Sequence, residues 1–210
     1  MNQDDLRQTL VASARAMQTL GLNRGAAGNL SVRCGDGFLI TPTGLPYDAM
    51  QPADIVPMAL DGTWRGARKP SSEWRFHRDI YAARAEAGAI AHAHAPFATA
   101  LACLRVDIPP FHYMIARFGG ACVRCAAYAT FGTQALSDAA LAALDGRCAC
   151  LLANHGLLAF GRDLPHALDL AVEFESLCEQ YWRALHIAPP VLLSDTEMEA
   201  VLEKFKSYGQ

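Results

Sequence analysis

Apolar residues recur along this chain with two periods, one helical and one of strand type, and the switches between them outline its elements. Leu6, Leu10, Ala14, Met17 and Leu20 follow helical spacing, with Asp4 or Asp5 as the cap and Gly21 as the stop. A glycine-rich turn at 25–29 leads into a strand at 30–33, and Asp36-Gly37 reads as a hairpin turn into a second strand at 38–40. Thr41-Pro42-Thr43-Gly44 is another turn, and the strand at 55–58 belongs at a sheet edge because of Pro57. Pro70-Ser71-Ser72-Glu73 opens a helix that runs through Trp74, Ile80 and Tyr81, with Glu73 in its first turn behind two serines able to cap it. Residues 89–95 read as a strand stopped by Pro96, followed by a helix to about Leu104. Strand patterns return at 122–125, 149–152 and 157–160, with a helix over 132–144 between them. Asp163 caps a long helix that has Pro165 in its first turn, and Ser194-Asp195-Thr196-Glu197 is a capping box for a last helix ending near Lys206. No linker, repeat or low-complexity tract interrupts this alternation, which predicts one layered α/β domain over 1–210.

Composition narrows the class. A hydrophobic content of 52% against 19% charged residues supplies a packed core and excludes disorder. The net charge of −3 gives no basic footprint for nucleic acid or an anionic membrane. No apolar run is long enough to span a bilayer, and the start Met1-Asn2-Gln3-Asp4-Asp5 is acidic where a secretory signal would be basic. The expected address is the cytoplasm. Seven cysteines, an odd number, fit a reducing compartment. Cys122, Cys125, Cys148 and Cys150 lack matching pairs at metal-finger spacing and are expected to be buried small hydrophobes.

The candidate chemistry centres on His92 and His94. On a strand they share one face, close enough to hold one metal ion, although a hydrogen-bonded polar stripe accounts for the pair equally well. His155 sits at a tight turn between two apolar runs and makes a three-histidine site the better account. Glu73 is a fourth ligand, a general base beside the metal, or only an acid at a helix start. His77, one turn further on, can face the same way, although a lone helical histidine is more often a packed surface group, and the sequence alone leaves both readings open. Three turns add a candidate oxyanion pocket of neutral donors: Gly25 to Asn29, Thr43-Gly44, and Ser71-Ser72 at a helix N-terminus.

With Gly25-x-x-Gly28-Asn29-Leu30-Ser31, Ile40-Thr41-Pro42-Thr43-Gly44, Pro70-Ser71-Ser72-Glu73, His92-Ala93-His94, His112-Tyr113 and Asn154-His155-Gly156 in that order, the chain resembles the class II aldolase/adducin family over essentially its whole length. That resemblance implies a three-layer α/β/α sandwich with a mixed, mostly antiparallel central sheet. It implies a fourfold homotetramer with active sites at subunit interfaces. It makes Glu73, His92, His94 and His155 the ligands of one Zn2+ per subunit, with Gly28, Asn29, Thr43, Gly44, Ser71 and Ser72 around a substrate phosphate. Tyr113 from a neighbouring subunit becomes the proton donor, Glu73 the base, and Phe131 and Tyr208 the aromatic groups near the aldehyde. The implied reaction is reversible cleavage of a ketose 1-phosphate, L-fuculose 1-phosphate foremost, to dihydroxyacetone phosphate and L-lactaldehyde. Within the same family stand cleavage of 5-deoxyribulose or 5-methylthioribulose 1-phosphate, and epimerisation or decarboxylation of a sugar phosphate. A non-catalytic adducin-like assembly domain fits worst, because all three histidines, Glu73 and Tyr113 are present. Two departures stand out: Ala26 where the family pattern has a threonine, and Arg117-Phe118 where it has small residues.

Overall fold

A seven-stranded sheet organises the computed structural model, which describes residues 2–206; Tyr208 lies outside the described residues. In chain order the elements are α1 (Gln3–Thr19), β1 (Asn29–Cys34), β2 (Gly37–Ile40), β3 (Val56–Ala59), α2 (Trp74–Ala83), β4 (Ala89–Ala93), α3 (Pro96–Ala102), β5 (Cys125–Ala126), α4 (Gln134–Ala143), β6 (Ala149–Leu152), β7 (Gly156–Gly161), α5 (Leu164–Ile187) and α6 (Asp195–Phe205). Short 3-10 helices cover Pro52–Asp54 and Tyr113–Phe118. The strand order is β3-β2-β1-β4-β7-β6-β5, antiparallel throughout except for the parallel pair β5–β6. The sheet is therefore mixed and mostly antiparallel, with helices on both faces.

Strand alternation divides the core in two. Leu30, Val32, Ala89, Ala91, Leu151 and Leu157 face α1, α3 and α5, whereas Phe38, Ile90, Cys150, Leu158 and Phe160 face α2 and α4. The central strand β4 is buried along its whole length, as expected for a strand covered on both sides. Its alanines let α5 approach closely, and Ile90 and His92 project to the opposite face.

Several boundaries differ from the sequence expectation for local reasons. Asn2, rather than Asp4 or Asp5, caps α1: its side chain accepts from Asp5 N, and Asp5 accepts in return from Asn2 N. Leu20 falls just past the last turn and stays 49% exposed. At 122–125 the strand shrinks to β5, because Val123 exchanges both backbone bonds with Ile108 and Cys125 N donates to Asp107. All seven cysteines are free; Cys150 is buried as expected, but Cys122, Cys125 and Cys148 are only half-buried. Pro57 does place β3 at the sheet edge. Thr133, Asp163 and Ser194 cap α4, α5 and α6 through their side chains.

Candidate metal centre

The site forms where β4, the β6–β7 turn and the start of α2 meet. His92 is fully buried on β4, and His94 follows just beyond the strand end. The turn between β6 and β7 brings His155 alongside, through Asn154 held at φ 54°. Asparagine tolerates that left-handed backbone, and Arg105 Nε locks its side chain with a 2.6 Å bond to Oδ1. Glu73 is itself the N-cap residue of α2 rather than a first-turn residue, and Ser71 Oγ accepts from its backbone N–H.

One ligand atom from each of Glu73, His92, His94 and His155 lies within 4.8 Å of the others. The three imidazole rings stand pairwise edge-on with centroids 4.7–5.0 Å apart. His92 Nδ1 lies 2.8 Å from the Leu157 carbonyl, which can only accept, so the proton is on Nδ1 and the Nε2 lone pair faces the site. His92 Nε2 and His155 Nε2 lie 3.2 and 3.1 Å from the Glu73 oxygens, yet neither His92 Nε2 nor Glu73 Oε1 makes a directed hydrogen bond. Two buried acceptors left bare and converging with two further imidazoles are what a divalent cation satisfies, so the residues fit a metal.

The local electrostatics agree. Burial alone pushes the Glu73 carboxyl up. Without a cation, a second proton on His92, favoured by Glu73 against burial, holds the carboxyl well below the usual carboxylate range, with His155 and Asn29 behind it. A bound cation would take that proton's place. Burial and the neighbouring His92 push His94 and His155 down to about 4, keeping both imidazoles neutral and able to donate a lone pair.

A cleft of about 380 Å³ opens beside these four residues. One wall carries Gly28, Asn29, Thr43, Gly44, Ser71 and Ser72, the six residues expected to surround a phosphate. Gly28 has φ +74°, and a Cβ there would stand 2.5 Å from the His92 carbonyl. Phe131, 66% exposed, and Tyr128, 56% exposed, line the cleft as well. Ala26 also lines the cleft, so a hydroxyl is missing from its wall at that position. Tyr113 does not line this cleft; it is 51% exposed at the start of its 3-10 helix. Arg117 ties that helix to α5 through Asp169 and Glu173.

A sequence profile for the class II aldolase and adducin N-terminal domain matches residues 8–182. The chain belongs to the class II aldolase and adducin family. A 5-methylthioribulose-1-phosphate/5-deoxyribulose-1-phosphate aldolase of Rhodospirillum rubrum is 61% identical over 97% of this chain and 92% of its own length. An L-fuculose phosphate aldolase of Escherichia coli K12 is 47% identical over the whole of this chain and 98% of its own. A solved L-fuculose 1-phosphate aldolase superposes with a TM-score of 0.93 at 42% identity, covering 96% of each chain. Class II aldolases depend on a metal and act on sugar phosphates, and among the described residues Glu73, His92, His94 and His155 are the group able to hold one.

Sequence reasoning missed the supports behind these residues. His77 is not a surface group: it is fully buried, with its ring between Asn29 and Ser31. Asn23 is buried and accepts from His94 N at 2.9 Å, joining the turn after α1 to the candidate metal centre. The signal for His77 was present as polar residues on alternate positions of β1, but a helical partner for them is not visible in one dimension.

Proposed function

We propose that this protein is a zinc-dependent aldolase that reversibly cleaves a ketose 1-phosphate to dihydroxyacetone phosphate and an aldehyde, the observation that carries it being the His92, His94, His155 and Glu73 cluster at the floor of a donor-lined cleft. Three imidazoles and a carboxylate suit zinc. A metal ion held there supplies a Lewis acid that stabilises the negative charge on the substrate's C2 oxygen as the C3–C4 bond opens.

The chain's own groups do the rest. The phosphate is held by the Ser71 and Ser72 hydroxyls and the turn amides at Gly28, Thr43 and Gly44. The Asn29 side chain already serves Glu73 and His77, and its second amide hydrogen is the one left for the cleft. In cleavage Tyr113, as its tyrosinate, takes the C4 hydroxyl proton, the C3–C4 bond breaks, and Glu73, in its protonated form, delivers a proton to C3. Loss of the Tyr113 proton to solvent and uptake of one by Glu73 then reset the pair. In condensation Glu73 removes the C3 proton and Tyr113 protonates the aldehyde oxygen. Because Tyr113 stands outside its own cleft, the reading requires a neighbouring copy to supply it, consistent with a homotetramer whose sites lie between subunits. Tyr128 and Phe131 offer an apolar wall to the aldehyde end.

The 61% relative supports 5-methylthioribulose or 5-deoxyribulose 1-phosphate as the substrate, and the exposed aromatic wall suits an aldehyde bearing a methylthio or methyl group. L-fuculose 1-phosphate is the second reading, supported by the 47% relative. Comparing kcat/KM for the three ketose 1-phosphates tests this choice: the five-carbon substrates are expected to lead, and a preference for L-fuculose 1-phosphate overturns the order.

A further inference from the structure

Residues 73, 77 and 81 sit four apart at the head of and along α2, and residues 29, 31 and 33 sit two apart on β1. Four helical residues advance about 6 Å, and two strand residues advance about 6.6 Å, so the two rows stay in step where helix and strand lie side by side. The contacts follow that register. Asn29 Nδ2 lies 2.9 Å from Glu73 Oε2, Asn29 Oδ1 lies 2.5 Å from His77 Nε2, and His77 Nδ1 lies 2.7 Å from Ser31 Oγ. Ser31 Oγ lies 2.8 Å from the Tyr81 hydroxyl, and Arg33 closes the row by donating to the Tyr81 carbonyl. Asn29, Ser31, Glu73, His77 and Tyr81 are all buried, with Ser31 and His77 wholly so.

We propose that this row is a one-way hydrogen-bond chain, Tyr81 to Ser31 to His77 to Asn29 to Glu73, in which Ser31, His77 and Tyr81 are positioning residues for the Glu73 carboxylate. The direction follows from the end that has no choice. An ionised carboxylate only accepts, so the Asn29 amide nitrogen faces Glu73 and its oxygen faces His77. His77 must then donate from Nε2, which leaves Nδ1 as an acceptor for the Ser31 hydroxyl. Ser31, having donated its only hydrogen, accepts from Tyr81. Each donor in a buried row strengthens the next, so the row delivers its polarisation to Glu73 Oε2. Oε2 is thereby pinned, and Oε1, which has no hydrogen-bond partner among the described residues, is the oxygen left to serve both the cation and the proton. Without the Ser31 donor, His77 is free to take the other tautomer. Its Nε2 lone pair then favours a flipped Asn29, which turns an amide oxygen toward the carboxylate and swings Glu73 away.

The inference rests on the aldolase reading for its catalytic meaning and on geometry alone for its direction, so the test has one arm for each. In zinc-loaded protein with 15N-labelled histidine, the ring resonances assigned by the His77→Gln variant should show His77 protonated at Nε2 and bare at Nδ1. Exchange of the C3 proton of dihydroxyacetone phosphate should fall about tenfold in kcat for Ser31→Ala, with KM moving less than about twofold. Tyr81→Phe, which keeps the buried ring, should lose about two- to threefold. His77→Gln retains a donor toward Asn29 and should stay within about threefold of wild type, whereas His77→Leu should lose tenfold or more at equal zinc content. A proton on His77 Nδ1 overturns the proposal even if Ser31→Ala does not fold. So does an equal loss in the Gln and Leu variants, or an unchanged rate in Ser31→Ala. No exchange by the wild-type protein overturns the aldolase reading instead, and the His77 tautomer then still decides the direction of the chain.

Discussion

Glu73 and the three histidines are close neighbours, but they have different work and should fail differently. His92 is wholly buried and oriented by the Leu157 carbonyl, so His92→Ala removes a proposed ligand and leaves a buried polar gap. We expect His92→Ala, His94→Ala and His155→Ala each to strip most of the bound metal, read by elemental analysis of the purified variants. Glu73→Gln keeps the shape and the three imidazoles while removing the proposed base. It should retain substantial zinc and still lose C3 proton exchange by about 10²-fold or more. Loss of both together would assign Glu73 to the metal alone. In the same cleft, Ala26→Thr adds a hydroxyl to the lining and should tighten dihydroxyacetone phosphate by a few-fold. Ser71→Ala and Ser72→Ala each remove a donor to a charged group, worth about 1.5–3 kcal/mol when well made, and should weaken it by tenfold or more. Calorimetric titration of the three variants checks these directions. Unchanged affinity in both serine variants would mean that the phosphate lies elsewhere.

At the scale of elements, the site depends on turns that hold unusual backbone. Gly28→Ala forces a side chain onto a backbone at φ +74° and drives its Cβ to within 2.5 Å of the His92 carbonyl. We expect a loss of about 1–3 kcal/mol in urea unfolding together with weaker zinc binding, because the strain falls directly on β4. A change in stability without a change in zinc affinity would separate the turn from the metal site. The same scale shows what the sequence could reveal. The strands and long helices were legible because their apolar residues keep period two or 3.6, and His92 and His94 were legible as a pair because two steps on a strand share a face. Element ends were less so: Asn2 wins the α1 cap from Asp4 and Asp5 through a reciprocal bond, and Ile108 draws Val123 out of β5. Ser31, His77 and Tyr81 were hidden for a different reason. Each is an ordinary polar residue in its own segment, and only the packing of α2 against β1 lines them up.

For the whole molecule, the position of Tyr113 is the decisive feature. It stands half-exposed outside the cleft formed by its own chain, while Arg117 anchors its 3-10 helix to Asp169 and Glu173 on α5. If a neighbour supplies Tyr113, inactive Glu73→Gln and Tyr113→Phe subunits should complement each other when unfolded together and reassembled. Random mixing then restores about a quarter of the sites, since each needs an intact Glu73 from one subunit and an intact Tyr113 from the next. No recovery would confine the reaction to a single chain. The account as a whole turns on metal-dependent cleavage of a carbon–carbon bond. The most direct measurement follows dihydroxyacetone phosphate released from 5-deoxyribulose 1-phosphate by the protein as purified, after chelation, and after zinc is returned. The account predicts release in the first and third samples and almost none in the second; equal release from metal-free protein, or a product other than dihydroxyacetone phosphate, would contradict it.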